Sequence, residues 1–506
     1  MLASAPIRLS KSRFLAGLQC LKRLYLQVHQ PTLAERGDEG HFARLRQGDE
    51  VGRLAQSGFP GGVLVGFAQG VDDALARTAV LLDDRSVPAI FEATVQYSNI
   101  LIRVDILERR PGDRWRLIEV KSSVELKAHY IYDVAIQHHV LIKCGLDVSS
   151  VRLMHLNRDY RYDGREHHPA SLFSFVEITK PIRKLDAELP GLITAQRDAL
   201  GGAEPPEIEA GPQCRAPCLC EFHGHCNPEP PEHHISLLPR LSEKKFVALG
   251  ALGVSVIHEI PADFELSPIQ ARIRTAVSTG RTWVSDSLAE ELDVLAYPRY
   301  FMDFESLYPA VPRFEGMWPY CQIPFQWSVH RQLTAGGEWE HWEFLAEDER
   351  DPRPGFIKTL CEALGDRGPI IVYNAGFEST RLKQLADWLP AYRGRIAKIQ
   401  ARLWDLLPCV QRCVYDPQFN GSFSIKAVLP ALVPEMSYDG MEVGNGGQAG
   451  LAWEQMVRGG VEPSERRRLR EALLAYCCQD TLAMVRILER LAGLIGLPRV
   501  SHAPHR

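Results

Sequence analysis

The 506-residue sequence predicts an α/β protein of two sheet-and-helix segments, separated by a cysteine-rich stretch and a helical connector. Three observations carry that expectation. Strand-length runs that alternate or stay apolar recur in two separate regions, each followed by helical periodicity. A chain of this length exceeds what one hydrophobic core usually serves, so two or three domains are expected. Between the two regions, "GGAEPPEIEAGP" and "NPEPPEHH" bracket a group of cysteines and read as loops, which ends the first segment near residue 200.

In the first segment, "FEATVQYSNILIRVDILERR" and "WRLIEVKSS" read as strands separated by the turn "RPGD", and "HYIYDVAIQHHVLIKCGL" as a helix with a glycine stop. Asp105 lies on one strand, and Glu119 and Lys121 on the next. Side chains alternate along a strand, so Glu119 and Lys121 share a face while Val120 packs the other way. Two neighbouring carboxylates suit a hard divalent cation such as Mg²⁺. A lysine beside them orients a water or offsets charge developing on a phosphate. An exposed Glu and Lys on one strand are also commonplace, so the spacing alone is a weak signal.

The stretch "GPQCRAPCLCEFHGHC" holds Cys214, Cys218, Cys220 and Cys226 with little core to enter. Metal ligation is the expectation in a reducing compartment. A structural zinc site made from these cysteines, with His223 or His225, is one form of it. Most of the remaining cysteines sit among apolar neighbours and read as small buried hydrophobes. After them, "ISLLPRLSEKKFVALGALGVSVIHEIP" predicts a helix, a tight glycine turn and a second helix, a spacing similar to a helix-hairpin-helix unit.

From Pro298 a second pattern begins. "RYFMDFES" and "PFQWSVHRQL" read as paired strands, "GPIIVYNAG" as a buried strand, "ESTRLKQLADWL" as a helix, and a long final helix is expected from an N-cap at Ser464. Asp303 and Glu305 share a strand face. Glu378 falls at a helix start, and Tyr476 and Asp480 lie four apart on the last helix. Four acids converging from these elements suit a two-metal phosphoryl-transfer site, with cations about 3.5–4 Å apart, and Tyr476 placed to orient the attacking water. Asp405 in "RLWDLLP" is a further acid, and Lys426 reads as a surface lysine within reach of phosphate.

Composition narrows the setting. The chain is 45% hydrophobic and 24% charged with net charge −5, so nucleic-acid binding would need a local basic groove. No apolar run reaches membrane-spanning length and "MLASAPIRLSKSRF" lacks a signal-peptide core, so a cytoplasmic protein is expected.

The D…E-x-K arrangement resembles the PD-(D/E)XK nuclease motif, and more closely the RecB-like nucleases that include the CRISPR-associated iron–sulfur exonucleases. The resemblance implies a site role for Gln137 on the following helix and a place for Glu92 before the Asp105 strand. The upstream metal-facing residue, often His, is here nearest to Glu50, and the aromatic residue often found four after the glutamine is Leu141. It also implies a 4Fe–4S cluster held by Cys20, Cys214, Cys220 and Cys226, with Cys218 spare and able to trade with Cys214.

The second set resembles the DnaQ-like exonucleases of the ribonuclease H-like fold whose last motif is Y-x-x-x-D. Metal-facing roles are thereby implied for Asp303, Glu305, Glu378 and Asp480, and a mixed five-stranded sheet for the fold. The family's second motif normally ends in Asp, where this chain has Glu378. The whole layout resembles a bacterial fusion of a RecB-like nuclease with a DnaQ-like domain of uncharacterised function. The expected domains are a PD-(D/E)XK domain over 1–230, a connector over 231–297, a ribonuclease H-like 3′–5′ exonuclease over 298–500 and a frayed tail over 501–506. The implied activity is Mg²⁺- or Mn²⁺-dependent hydrolysis of DNA, or of RNA, in repair, recombination or defence. The rivals are a nuclease with one live site and a non-catalytic nucleic-acid adaptor.

Overall fold

The computed structural model describes residues 7–35, 39–227 and 231–496. The chain divides into two units, one of Met1–Glu229 with Pro309–Cys321, the other of Pro230–Tyr308 with Gln322–Arg506. Both are mixed α/β.

The first unit runs β1 (Leu9–Ser10), α1 (Lys11–Gln19), α2 (Leu21–His29), α3 (Glu39–Gln56), β2 (Val63–Leu64), α4 (Val71–Asp83), β3 (Ala89–Tyr97), β4 (Ile100–Arg110), β5 (Arg114–Lys121), α5 (His129–Lys143), β6 (Val148–Leu156), β7 (Phe173–Glu177) and α6 (Leu189–Gly201). The apolar run that reads as one long strand is a hairpin. Ser98 and Asn99 both take positive φ, as a two-residue hairpin turn requires, and split it into β3 and β4. Gly112 and Asp113, again at positive φ, turn β4 into β5. The strands form a seven-stranded sheet in the order β2-β3-β4-β5-β6-β7, with β1 beside β4. One face packs on α5 through Ile102, Val104 and Leu117 against Val134, Val140 and Leu141. The helix ends where Gly145 enters the left-handed region at φ 87°.

The other face of the sheet collects Ile106, Ile118 and Met154 together with Ala310 and Val311 of the Pro309–Cys321 segment. That segment is built into the unit by polar bonds as well. Tyr162 donates its N–H to Met317 and accepts from Gly316, at 2.9 and 2.8 Å. Tyr320 Oη donates to the Ser122 carbonyl.

The second unit runs α7 (Glu243–Ala251), α8 (Pro268–Thr279), β8 (Trp283–Val284), β9 (Arg299–Leu307), β10 (Ile323–Gln332), β11 (Trp339–Leu345), α9 (Arg353–Ala363), β12 (Ile370–Val372), α10 (Gly376–Trp388), β13 (Leu403–Asp405), α11 (Leu406–Cys413), β14 (Val414–Tyr415), α12 (Ile425–Leu432), α13 (Gly446–Val457) and α14 (Pro463–Leu494). Its main sheet is five-stranded in the order β11-β10-β9-β12-β13. β9, β10 and β11 are antiparallel neighbours, and β12 pairs in parallel with both β9 and β13.

Three sequence expectations are corrected. The stretch 231–297 is no separate connector, because Leu249, Ile257 and Ile273 share one buried core with Phe301, Ile371 and Leu488 of the second unit. The turn after α7 is made by Gly253 at φ 74°, but the next element is a single 3₁₀ turn, Ile257–Glu259, instead of a second helix. The final helix starts at Pro463 with Glu462 as N-cap, since proline suits the first helical position, where its missing N–H costs nothing. The expected tail at 501–506 lies outside the described residues. Among the described residues no helix is long and apolar enough to cross a membrane.

Candidate active sites

In the first unit three carboxylates line up across three strands. The β4–β5 register, continued one residue past the Ile106–Ile118 pair, sets Asp105 across from Glu119. The β3–β4 register pairs Phe91 with Ile106 and Ala93 with Val104, which sets Glu92 across from Asp105. The ladder breaks at Glu92, which holds φ 56°, a left-handed conformation costly for a residue with a Cβ. Glu119 is 1% exposed. Its Oε1 accepts from Lys121 Nζ at 2.7 Å and from Lys11 Nζ at 2.9 Å, and its Oε2 accepts from Gln137 Nε2 at 2.7 Å. Lys121 also donates to Asp133. Asp105 Oδ2 accepts from the Val120 N–H at 2.7 Å. The other face of Gln137 is incomplete: its Oε1 is buried with no hydrogen-bond partner.

The two central carboxyls are pushed in opposite directions. Burial and the neighbouring Glu119 charge push Asp105 up to about 7, against Lys11, Lys121 and the Val120 N–H. Burial also opposes ionisation of Glu119, but Lys11, Lys121 and the Gln137 bond hold it well below the usual carboxylate range. The two carboxyls are thus held in unlike environments, Asp105 favouring its neutral form and Glu119 its anion. A cleft opens over this row, and α3 turns Asp49, Gly52, Arg53 and Gln56 toward it. Asp49, and not Glu50, is thus the acid that α3 contributes to the cleft.

In the second unit Asp303, Glu305 and Asp480 each bring a carboxylate oxygen within 4.8 Å of the other two. Asp303 and Glu305 alternate correctly on β9, and α14 crosses that strand so that Cys477 packs on Asp303 while Asp480 faces both acids. Tyr438 Oη donates to Asp480 Oδ1 at 2.6 Å, and the Tyr476 hydroxyl bonds the same side chain. Lys426 Nζ lies 5.3 Å from the Tyr476 ring and 5.4 Å from the Tyr438 ring, and donates to the Gly444 carbonyl. Burial pushes Asp480 up to about 6 even with Tyr438, Lys426 and Tyr476 opposing. Burial and then the Asp480 charge raise Asp303 and Glu305 well above the carboxylate range. Three such carboxyls this close cannot all ionise unaided, so the group holds protons or a cation.

Glu378 stands apart from that trio. It sits in the first turn of α10, 1% exposed, with Oε2 lacking any hydrogen-bond partner. Burial pushes it up to about 8, although its charge still acts on Asp303. Asp405 serves the backbone: Oδ1 accepts from Asn374 N and Leu407 N at 2.9 and 3.1 Å, and Oδ2 from Ala375 N at 2.9 Å. It therefore caps α11 and fixes the turn that launches the Glu378 helix, with Asn374 at φ 76°.

Cys20, Cys214, Cys220 and Cys226 line one small cavity with Arg23, Ile208 and Phe222. Cys218 is exposed and outside it, its Sγ 3.3 Å from Gln19 Oε1. Among the described residues no three of these sulfurs lie within 4.8 Å of one another. The segments that carry them are tied by polar bonds, Gln19 Nε2 to the Gln213 and Cys218 carbonyls at 2.7 and 2.8 Å and Arg23 to Glu221 at 2.8 Å. Burial pushes the Cys220 thiol up to about 11 and raises Cys226 as well.

Asp105 thus meets Glu119, and Asp303 and Glu305 meet Asp480, while Glu50, Glu378 and Asp405 fall outside these groups. Lys11, Asp49, Asp133 and Tyr438 were not foreseen. Asp133 had a signal, four residues before Gln137 on one helix face. Lys11 and Tyr438 reach their sites from distant segments and had none.

Residues 300–424 match a family described as a domain of unknown function (DUF2779). An uncharacterised protein of Ureaplasma parvum, UU173, is 23% identical over 212 residues, 37% of this chain and 30% of its own length. The chain therefore spans under a third of that relative. A crystal structure titled SSO0001 aligns at 16% identity and a TM-score of 0.14, covering 36% of this chain and 85% of the other.

Proposed function

We propose that the chain is a metal-dependent nuclease that hydrolyses phosphodiester bonds of DNA, or of RNA. In this reading the first unit is a RecB-like PD-(D/E)XK module and the second a DnaQ-like, ribonuclease H-like exonuclease acting 3′ to 5′. The observation that carries it is the convergence of Asp303, Glu305 and Asp480 within 4.8 Å, beside Tyr476 and Lys426. These carboxylates, and Asp105 with Glu119 in the first unit, are hard oxygen donors suited to Mg²⁺ or Mn²⁺. The unpartnered Gln137 Oε1 supports a missing group there. A bound cation supplies Lewis-acid polarisation of a phosphoryl oxygen and a more acidic water.

The protein's own groups then have definite tasks. Tyr476 holds Asp480 and presents a hydroxyl to orient water at the second site. Lys426 offsets charge on a phosphate oxygen. In the first unit Lys121 plays that part, and Gln137 keeps Glu119 aligned. Cys20, Cys214, Cys220 and Cys226 would hold a 4Fe–4S cluster as a structural clip. A cluster takes each thiolate on a different iron, and a structural zinc is the alternative that the same donor set allows. A second reading, one live site in the first unit with the other unit gripping the strand, is favoured by the separation of Glu378 from its three acidic neighbours.

The test is a time course on single-stranded DNA labelled at either end, with Mg²⁺ or Mn²⁺ and anaerobically purified protein. Wild type runs beside Lys121→Ala, Asp303→Ala and the double variant. Distinct product sets lost in each single variant support two enzymes. Loss of all cleavage in one alone supports the single-site reading. Intact strands with retained binding, on DNA and RNA alike, overturn the proposal in favour of an adaptor.

A further inference from the structure

Away from the carboxylates, a second type of ligand set lies on the same sheet. His330 on β10 and His341 on β11 are directly paired across the strands, their rings 4.5 Å apart and inclined by 32°. Cys478 on α14 completes a group in which one nitrogen of each ring and the cysteine sulfur all lie within 4.8 Å of one another.

The surrounding hydroxyls fix the rings. Thr481 Oγ1 is 2.8 Å from His330 Nδ1, Ser328 Oγ is 2.9 Å from His341 Nε2, and the two hydroxyls are 2.8 Å apart. Thr481 Oγ1 is also 3.0 Å from the Cys478 carbonyl, which can only accept. One proton order satisfies every bond. His341 Nε2–H donates to Ser328, Ser328 donates to Thr481, His330 Nδ1–H donates to Thr481, and Thr481 donates to the carbonyl. That order leaves Nε2 of His330 and Nδ1 of His341 with free lone pairs. Ring orientation by such outer hydrogen bonds is the usual support of a histidine metal ligand.

We propose that His330, His341 and Cys478 bind a borderline-soft divalent ion, Zn²⁺ by ligand class, at a site separate from the carboxylates. Two imidazoles and a thiolate select zinc-like ions over Mg²⁺ or Ca²⁺. Nitrogen and sulfur ligands on one tetrahedral ion lie about 3.5 Å apart, so modest side-chain rotation closes the group. The charge of Glu343, two residues from His341 on the same strand face, acts on both His341 and Cys478. Arg486 also acts on His330, but it is paired with Glu489 at 2.9 Å.

The consequence is mechanical. The ion joins β10 and β11 to α14 at the residue after Cys477, which packs on Asp303, and two before Asp480. It fixes the register of the helix over the acidic trio, and the site does not depend on a nuclease activity.

The test measures bound zinc by elemental analysis after loading the full chain with Zn²⁺ and removing the excess, together with thermal unfolding. Wild type runs beside His341→Ala, Cys478→Ser and, as a control, Cys144→Ser. His341 is exposed, so its variant is expected to fold, and circular dichroism verifies this. The expected result is one equivalent fewer in both site variants, with the control unchanged and the zinc-dependent rise in melting temperature absent only from the site variants. Co²⁺ loading gives a second readout, a thiolate charge-transfer band weakened in Cys478→Ser. Equal zinc in wild type and His341→Ala, or an unchanged cobalt band in Cys478→Ser, overturns the proposal.

Discussion

Replacing Glu378 by Gln tests whether its carboxyl is a protonated bystander or a group waiting for a cation. The side chain is 1% exposed, and burial, reinforced by Asp405, pushes it up to about 8 from an ordinary 4.5. Below pH 4.5 the carboxyl is protonated in both folded and unfolded chains, so no penalty exists. As pH rises from there, the unfolded carboxyl ionises while the folded one does not, and stability falls by about 1.4 kcal/mol per pH unit. The loss reaches about 3 kcal/mol at pH 7 and levels off near 5 kcal/mol above pH 8. Glutamine has no such term, so Glu378→Gln should gain on wild type across that window. Hydrogen exchange of peptides covering β12 and α10, in chelator, reads the local opening free energy at each pH. A difference between wild type and variant that stays flat from about pH 5 to about pH 8.5 would refute the reasoning. Adding Mn²⁺ decides the role: if Glu378 meets the ion, wild type recovers its stability at high pH and the gap closes.

Other outcomes rest on single contacts. Lys11→Ala removes a cation bonded to Glu119 Oε1 and should tighten Mn²⁺ binding at the first site by tenfold or so, about 1.4 kcal/mol; calorimetry with Asp303→Ala as background checks it. Cys218→Ser should retain visible iron–sulfur absorbance and iron content, while Cys214→Ser and Cys220→Ser lose both. Asp405→Ala strands three backbone N–H groups and should cost about 2–4 kcal/mol, read as a lower melting temperature of the second unit, with Asp405→Asn intermediate.

The sequence made legible whatever period and spacing encode. Glu119 and Lys121 share a face, as do Asp303 and Glu305, because a strand alternates and nothing distant can alter that. Lys11 was invisible because its contact with Glu119 spans more than a hundred residues of chain. Tyr438 was hidden because it lies 42 residues before Asp480, in a loop whose approach is set by packing. The four-cysteine choice depended on a family resemblance, and the cavity now separates Cys218 from the rest by position. Residues 231–297 misled because their short helices carry apolar faces that make sense only beside Phe301 and Leu488. Asp405 reads from the sequence only as a further acid, and its three N–H donors reveal a cap.

The Pro309–Cys321 segment imposes a schedule on synthesis. The first unit lacks Ala310, Val311 and Tyr320 when residue 229 leaves the ribosome, and must wait until residue 321 has emerged. At ordinary elongation rates those 92 further residues (321 − 229) take roughly 5–20 seconds. Through that interval Ile106, Ile118 and Met154 present an apolar sheet face with part of its cover still unmade. A nascent chain in this state is a natural client for a chaperone, and a fragment cut at residue 229 would carry the same exposed face permanently.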